Sequence, residues 1–379
     1  MGHKLLLLDH AEALGGAENS LLLLIKHLDH SRWSPTLACS GGPLAERARG
    51  LGVAVFTLPM QRLRRSPRAL QDWLTGARAI AALARQIDAE LIYANTVRAA
   101  IYGALATRLV GLPLIWHMRD FWLGESRPRY AWADALGKRL LSAAATRVIT
   151  NSHAVASNLP VRRKVTVVHN GIEVRRFDPD MDGQPFRQEQ GIPSHAPLVG
   201  MVGRLRPWKG QDRFLRALAR VLAQIPEAWF AIIGGAIFEI ADGYTEQLQK
   251  LNTDLGLAGR AIFTGHMEDV RPALAALDVF VHPGDPEPFG LVNIEAMAMG
   301  KPVVAFHHGA LPEIVADTET GVLIAPRDEA ALAEAVIALL QNPALRQSMG
   351  KAGRVRVETR FTAERMATQV EAVLGEVLA

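Results

Sequence analysis

The chain has 379 residues, 49% of them apolar and 21% charged, with 42 Lys and Arg against 38 Asp and Glu for a formal net charge of +4. That length exceeds one ordinary core, so two domains are expected, and the even composition argues for a well-packed globular protein. A single cysteine, Cys39, excludes an internal disulfide and any multi-cysteine metal site and fits a reducing cytoplasm; no run of about eighteen apolar residues marks a membrane span.

The first apolar run, Leu5–Asp9, meets an acid at once and reads as a buried strand, not as a signal peptide. Gly2 does not open a myristoylation signal, because position 6 is Leu. A glycine turn follows, then a helical pattern over Ala17–Leu28. Thr36–Cys39, Val53–Leu58, Leu91–Ala94, Leu114–His117, Arg147–Thr150 and Thr166–His169 read as further strands. From Glu173 to Pro197 prolines, glycines and charges dominate, which predicts an interdomain linker. A second series runs through Leu198–Val202, Trp229–Ile233, Ala261–Thr264, Val279–His282, Pro302–Phe306 and Gly321–Ile324. The segment Asp328–Gln341 has an acid at its start, an alanine-rich body and Asn342-Pro343 as its stop. Phe361–Leu378 is amphipathic. Strands alternating with helices predict an α/β protein with parallel sheets. The boundaries are residues 1–172 for a first domain, 173–197 for the linker and 198–359 for a second domain.

Basic residues are dense at 61–68, at Val161-Arg-Arg-Lys164 and at Arg175-Arg176. They read either as solvated faces or as a patch touching anionic phospholipid or an anionic acceptor. Without interleaved aromatics they do not suggest nucleic-acid binding.

The chemistry concentrates where strands end, because ligands of open α/β sheets bind at the carboxyl ends of strands. Leu14-Gly15-Gly16-Ala17-Glu18 pairs two glycines with a helix start, so a backbone can approach an anion closely. It is not a dinucleotide fingerprint, since the third glycine is missing. Leu114-Ile-Trp-His117-Met-Arg119-Asp120 places a histidine, a cation and an acid after a buried strand, and Asn95 stands at an equivalent strand end. Asn95 and Arg119 are candidates for binding an acceptor. Gly203-Arg204-Leu-Arg206-Pro-Trp-Lys209-Gly210 offers an arginine that can fork onto phosphate oxygens and a lysine as a movable charge. Together Arg204 and Lys209 can offset most of a diphosphate's charge without a metal.

Most informative is Glu287-Pro-Phe-Gly-Leu-Val-Asn-Ile-Glu295. Two carboxylates flank a glycine turn in which a helix begins near Phe289-Gly290. The amides of Gly290, Leu291 and Val292 lack helical partners and favour a phosphate. Glu295 lies roughly 6–8 Å further along the axis, a suitable reach from a phosphate to a ribose diol. A helix with two surface acids is the plainer reading, but it leaves the glycine turn, the prolines and the preceding strand without a reason.

These motifs resemble those of the retaining glycosyltransferases of family 4. The stretch 287–295 matches their E-x7-E signature, 203–210 their Gly-Arg-Leu-x-x-x-Lys-Gly pattern, and 15–18 their Gly-Gly-x-Glu element. Phe263-Thr264-Gly265-His266 resembles the turn that reads the nucleobase, and Gly309-Ala-Leu-Pro312-Glu313 their Gly-x-Pro-Glu turn. Phe306-His-His308 departs from the small or hydroxyl residues usual there. The resemblance implies a GT-B fold, two facing Rossmann-like domains with parallel sheets and a deep interdomain cleft, the final helix from about 360 returning to the first domain. It implies Glu287 and His117 as catalytic residues near the transferred sugar. Gly15, Gly16, Gly203, Arg204, Lys209, Gly265, His266, Phe289, Gly290, Leu291, Val292 and Glu295 would bind the donor. The donor would be a nucleotide diphosphate-sugar acting as co-substrate, with UDP the commoner base, and with no cofactor and no metal. The acceptor would be lipid-linked, a polysaccharide or a small molecule in the cytoplasm; the basic patches themselves favour a lipid-linked or polysaccharide acceptor, with peripheral attachment to anionic membrane at its inner face. A sugar-nucleotide 2-epimerase on the same architecture and a non-catalytic sugar-nucleotide binder are the alternative readings.

Overall fold

A computed structural model describes residues 2–63, 68–124, 128–235 and 243–379. Arg64 and Arg65 of the first basic run lie outside the described residues. The chain forms two compact units: Met1–Ile172 together with Thr362–Ala379, and Glu173–Phe361.

The first unit is built on β1 (His3–Leu8), β2 (Trp33–Cys39), β3 (Ala54–Thr57), β4 (Leu91–Ala94), β5 (Leu114–Met118), β6 (Arg147–Thr150) and β7 (Val165–Val167). They form a seven-stranded sheet in the order β3-β2-β1-β4-β5-β6-β7, and every pairing is parallel. Helices cover both faces, so β1 is apolar at consecutive positions. Alternate side chains serve opposite layers. Leu5 and Leu7 pack with Leu21, Ile25 and Leu37; Leu6 and Leu8 pack with Ile80, Tyr102 and Trp116. The helix Ala363–Leu378 completes the first of these layers through Met366, Val370 and Leu374.

The second unit carries β8 (Leu198–Val202), β9 (Trp229–Ile233), β10 (Ala261–Phe263), β11 (Val279–His282), β12 (Val303–Phe306) and β13 (Gly321–Ile324). Its six-stranded sheet runs β10-β9-β8-β11-β12-β13, again parallel throughout. In each sheet the strand order reverses once, between β1 and β4 and between β8 and β11. Loops leaving such a switch point diverge and leave a crevice at the strand ends.

One expectation is corrected and another is extended. Residues 173–197 are not a free linker, for they belong to the second unit. There the helix Gln184–Glu189 packs on the helix Arg271–Ala276, with Phe186 buried. Arg187 is buried as well and donates to the carbonyls of Ala196 and Ala276 at 2.6 Å each. Asn342-Pro343 ends one helix but also starts another, Pro343–Arg360. The Asn342 side chain accepts from the Leu345 amide at 3.0 Å, and proline suits a first helical position. Among the described residues no helix is long and apolar enough to cross a membrane.

Candidate active site

At the β8/β11 switch point two loops are stitched together. The loop after β8 ends in a short 3-10 turn, Pro207–Lys209, and Gly210 at φ +77°. Only glycine fits here, since a Cβ would overlap the Pro283 carbonyl of the loop after β11. The Asp285 amide donates to the Trp208 carbonyl at 2.7 Å, and Arg213 reaches the Asp285 carboxylate at 2.8 Å and the Pro283 carbonyl at 3.1 Å.

This stitching sets Lys209 against Glu287. The Lys209 Nζ donates to Glu287 Oε1, and His282 Nε2 lies 3.4 Å from the same oxygen. The two side chains are 21% and 15% exposed, so the pair is largely screened from water. Burial pushes the Glu287 carboxyl up, but the Lys209 charge and the His282 contact outweigh it and hold the group well below the usual carboxylate range. The loop after β12 closes the third side: the Ala310 amide donates to the Glu287 carbonyl at 2.9 Å. His282 is a site residue that sequence reasoning registered only as a strand end. Its position as the last residue of a buried strand, just before the proline-rich loop, was the available signal.

Beyond Glu287 the helix Leu291–Ala298 starts at Gly290, at φ +93°, with no side chain capping its first turn from the N-cap position. The amides of Leu291 and Val292 precede the first helical hydrogen bond, Asn293 N to Gly290 O at 3.0 Å. Glu295 sits one turn in, half-buried, its carbonyl accepting from the Met299 amide at 3.1 Å and its carboxylate without a hydrogen bond or ion pair among the described residues. Burial lifts its carboxyl to about 7, and Arg176 only partly opposes this. Phe289 is corrected: its ring is 2% exposed and packs edge-on against Phe361 at 6.0 Å. Only its main chain can border a ligand.

The turns after β8, β9 and β10 run backbone to backbone. Gly203 N donates to Ile233 O at 2.9 Å, and Gly234 N to Gly265 O at 3.1 Å. Gly234, at φ +130°, has no room for a Cβ against the Gly203 carbonyl. Arg204 and His266 are exposed at this edge. Arg204 has no side-chain partner among the described residues.

The first unit presents a different picture. Gly15 caps the helix Gly16–His27, and its amide donates to Glu18 Oε2 at 2.8 Å. Both glycines lie in this unit and share no element with the Lys209–Glu287 cluster. Asn95 and Arg119, expected to meet an acceptor, are 0% and 6% exposed. Asn95 donates to Asp9 at 2.6 Å and accepts from Arg119 at 2.8 Å, and Arg119 donates to Asn170 at 2.7 Å. They tie the ends of β1, β4 and β5 together instead of facing outward, because a buried charge must spend its donors inside the fold. His117 is likewise wholly buried. Its Nδ1 bonds the Tyr93 hydroxyl, and its Nε2 has no partner among the described residues. Burial, and then the Arg119 charge, keep the ring neutral. It offers no exposed edge to a sugar here, so the expected direct contact is not borne by this geometry.

Two doubly wound parallel sheets, one with a cation, two acids and a glycine-led helix start at its switch point, define the class: the chain has the GT-B fold of sugar-nucleotide-dependent glycosyltransferases. Residues 182–356 match the family described as Glycosyl transferases group 1, and residues 14–176 match Glycosyltransferase Family 4. The chain belongs to this family. It is 32% identical over 255 residues to the lipopolysaccharide core biosynthesis mannosyltransferase LpsB of Rhizobium meliloti, covering 67% of this chain and 70% of that protein. It is also 32% identical over 231 residues to the mannosyltransferase LpcC of Rhizobium leguminosarum, covering 61% of this chain but only 64% of that relative's length. Among solved structures, Anabaena HepE in complex with UDP superposes with a TM-score of 0.85 at 26% identity, over 98% of this chain and 100% of the other.

Proposed function

We propose that this chain transfers a hexosyl group from a nucleotide diphosphate-sugar to a lipid-linked or polysaccharide acceptor, with retention of configuration and without a metal ion. The observation that carries this reading is the Lys209–Glu287 pair at the β8/β11 switch point, held beside the open helix start at Gly290. Without ligand, Lys209 neutralises Glu287. An arriving diphosphate competes for the Lys209 ammonium, joins Arg204 and the amides near Gly290, and leaves Glu287 free to accept from hexose hydroxyls.

In the transfer step the bond between the anomeric carbon and the diphosphate oxygen breaks. The acceptor oxygen bonds to that carbon on the same face, and the acceptor proton passes to the departing phosphate. Lys209 and Arg204 stabilise the charge that develops on the leaving group, and ionised Glu287 stabilises the positive charge on the sugar. Glu295 takes the ribose hydroxyls.

UDP and GDP sugars are the donors to try first. HepE was captured with UDP and with UDP-glucose, whereas a Mycolicibacterium smegmatis relative, 38% identical over 193 residues, is a GDP-mannose-dependent phosphatidylinositol mannoside mannosyltransferase. Relatives named for lipopolysaccharide core and phosphatidylinositol mannoside synthesis support a lipid-linked acceptor, reached at the inner membrane face.

The test is a thermal-shift screen over nucleotide sugars followed by turnover measurements. Lys209→Ala and Glu287→Ala should each lower transfer by about 100-fold or more, with an unchanged far-UV spectrum. Near-normal transfer by either purified variant would contradict the assignment. Nucleotide release that does not depend on acceptor, together with an epimerised sugar, would favour the 2-epimerase reading. Tight binding of a donor that is never turned over would favour a sensor.

A further inference from the structure

One helix of the first unit is turned inside out. Ala131–Ala144 carries Asp134, Lys138 and Arg139 as its only charged residues. Asp134 and Lys138 face inward, 8% and 3% exposed, in an ion pair of 2.6 Å. Asp134 also accepts from the Leu123 amide at 2.8 Å, and Lys138 donates to the Phe121 carbonyl. The charges therefore serve to hold the segment that follows β5. The outward face is apolar: Trp132, Leu136 and Leu140 are 70%, 50% and 62% exposed. Their spacing of four places them in one stripe along the helix. Scattered exposed leucines need no explanation, but a Trp-Leu-Leu stripe on a helix whose acid and lysine are buried does.

Cations rim the stripe. At the start of the helix the Arg129 guanidinium stacks over Tyr130, 5.4 Å from the ring centre, and Tyr130 is itself 47% exposed. At the other end the Lys164 ammonium donates to the Ala145 carbonyl at 2.8 Å. That bond brings the basic run 162–164 beside the helix terminus, with Arg162 and Arg163 exposed. Arg139 is the only exposed charge on the helix.

We propose that this face docks on an anionic lipid bilayer, with Trp132, Leu136 and Leu140 entering the headgroup–acyl boundary and Arg129, Arg139, Arg162 and Arg163 meeting lipid phosphates. A second copy of the chain fits less well. An isologous contact through this stripe would bring the same arginines of both copies together. An anionic surface instead complements them, and an amphipathic helix with Trp and Tyr at its apolar edge suits the interface. The proposal deepens the lipid-linked acceptor reading given above. Vesicle binding needs neither donor nor acceptor, however, so it stands or falls separately from transferase activity.

The experiment is co-flotation of the full chain with vesicles of phosphatidylcholine alone and of phosphatidylcholine mixed with phosphatidylglycerol. Wild type should bind the mixed vesicles at least about 10-fold more tightly than the neutral ones, an advantage that shrinks with added salt. Trp132→Ser/Leu136→Ser/Leu140→Ser should lower that binding by about 100-fold, and Arg162→Glu/Arg163→Glu by about 10-fold. Both variants should keep the wild-type melting temperature, because the altered side chains are exposed. If the triple variant misfolds, single Trp132→Ser and the arginine pair carry the test. Absence of wild-type binding to the mixed vesicles, binding untouched by the variants, or a solution dimer that Trp132→Ser dissolves would each overturn the proposal.

Discussion

Glu287 and Glu295 lie in one short stretch, yet their protons are held in opposite ways. Lys209 keeps Glu287 ionised, while burial lifts the Glu295 carboxyl to about 7. Under the proposed function these environments suit different work: Glu287 would be a fixed negative charge once a diphosphate draws off its cation, and Glu295 would become an acceptor when hydroxyl donors arrive. The sign of its linkage follows. Its folded-state value lies above the unfolded one, so the bound proton favours the fold below about pH 4.5, and this contribution is lost as pH rises through about 7. Glu295→Gln should therefore be more stable than wild type at pH 8.5, by roughly 1–3 kcal/mol, and no more stable at pH 4.5; urea melts at the two values check this. Ribose hydroxyls favour the ionised form, so nucleotide affinity of wild type should rise between pH 6 and 8 more steeply than that of Glu295→Gln. Titration calorimetry on both proteins isolates the residue, because the diphosphate's own ionisation is common to them. The acid–glycine–acid spacing of this site was legible because it lies in consecutive residues. The burial of His117, Asn95 and Arg119 was not, since a polar residue at a strand end looks the same in sequence whether it turns out to solvent or in to a network.

At the scale of elements, the strands were legible to within a residue or two, except β2, which begins at Trp33, three residues before the expected Thr36. A parallel sheet covered on both faces demands continuous apolar runs, as at Leu5–Leu8 and Val279–Phe280. What misled was charge. Arg187 reads as linker, but its guanidinium is buried against backbone carbonyls. In Ala131–Ala144 the usual rule of polar-out is inverted by the Asp134–Lys138 pair. Arg187→Ala leaves those carbonyls without a buried donor and should lower stability by about 2–4 kcal/mol, read as a shifted denaturant midpoint. Loop crossings carry the same logic to function. Gly210 is where the loops after β8 and β11 touch. Gly210→Ala forces a Cβ into the Pro283 carbonyl at a positive φ, so it should part Lys209 from Glu287 and weaken donor binding about 10-fold or more. A change confined to melting temperature, with donor affinity intact, would show that the crossing does not set the pair.

For the whole molecule, the division into two units has a thermodynamic consequence. The chain leaves the first unit at Ile172, builds the second over Glu173–Phe361, and returns at Thr362. The last helix is thus bound to the first unit's core from the far end of the chain, with Val370 1% exposed within that core. The side chains proposed to hold the donor, Arg204, Lys209, Glu287 and Glu295, by contrast, all lie in the second unit. Val370→Asp buries an unpaired carboxylate against Leu21 and Ile25, at a cost of about 3 kcal/mol or more. The prediction is two calorimetric transitions. One is lowered by Val370→Asp and unmoved by nucleotide; the other is unmoved by the substitution and raised by saturating UDP or GDP, by an amount set by ligand concentration over Kd. If nucleotide raised the transition that Val370→Asp lowers, the binding site would depend on the first unit's core. The assignment of the donor to the β8/β11 switch point of the second unit alone would then be wrong.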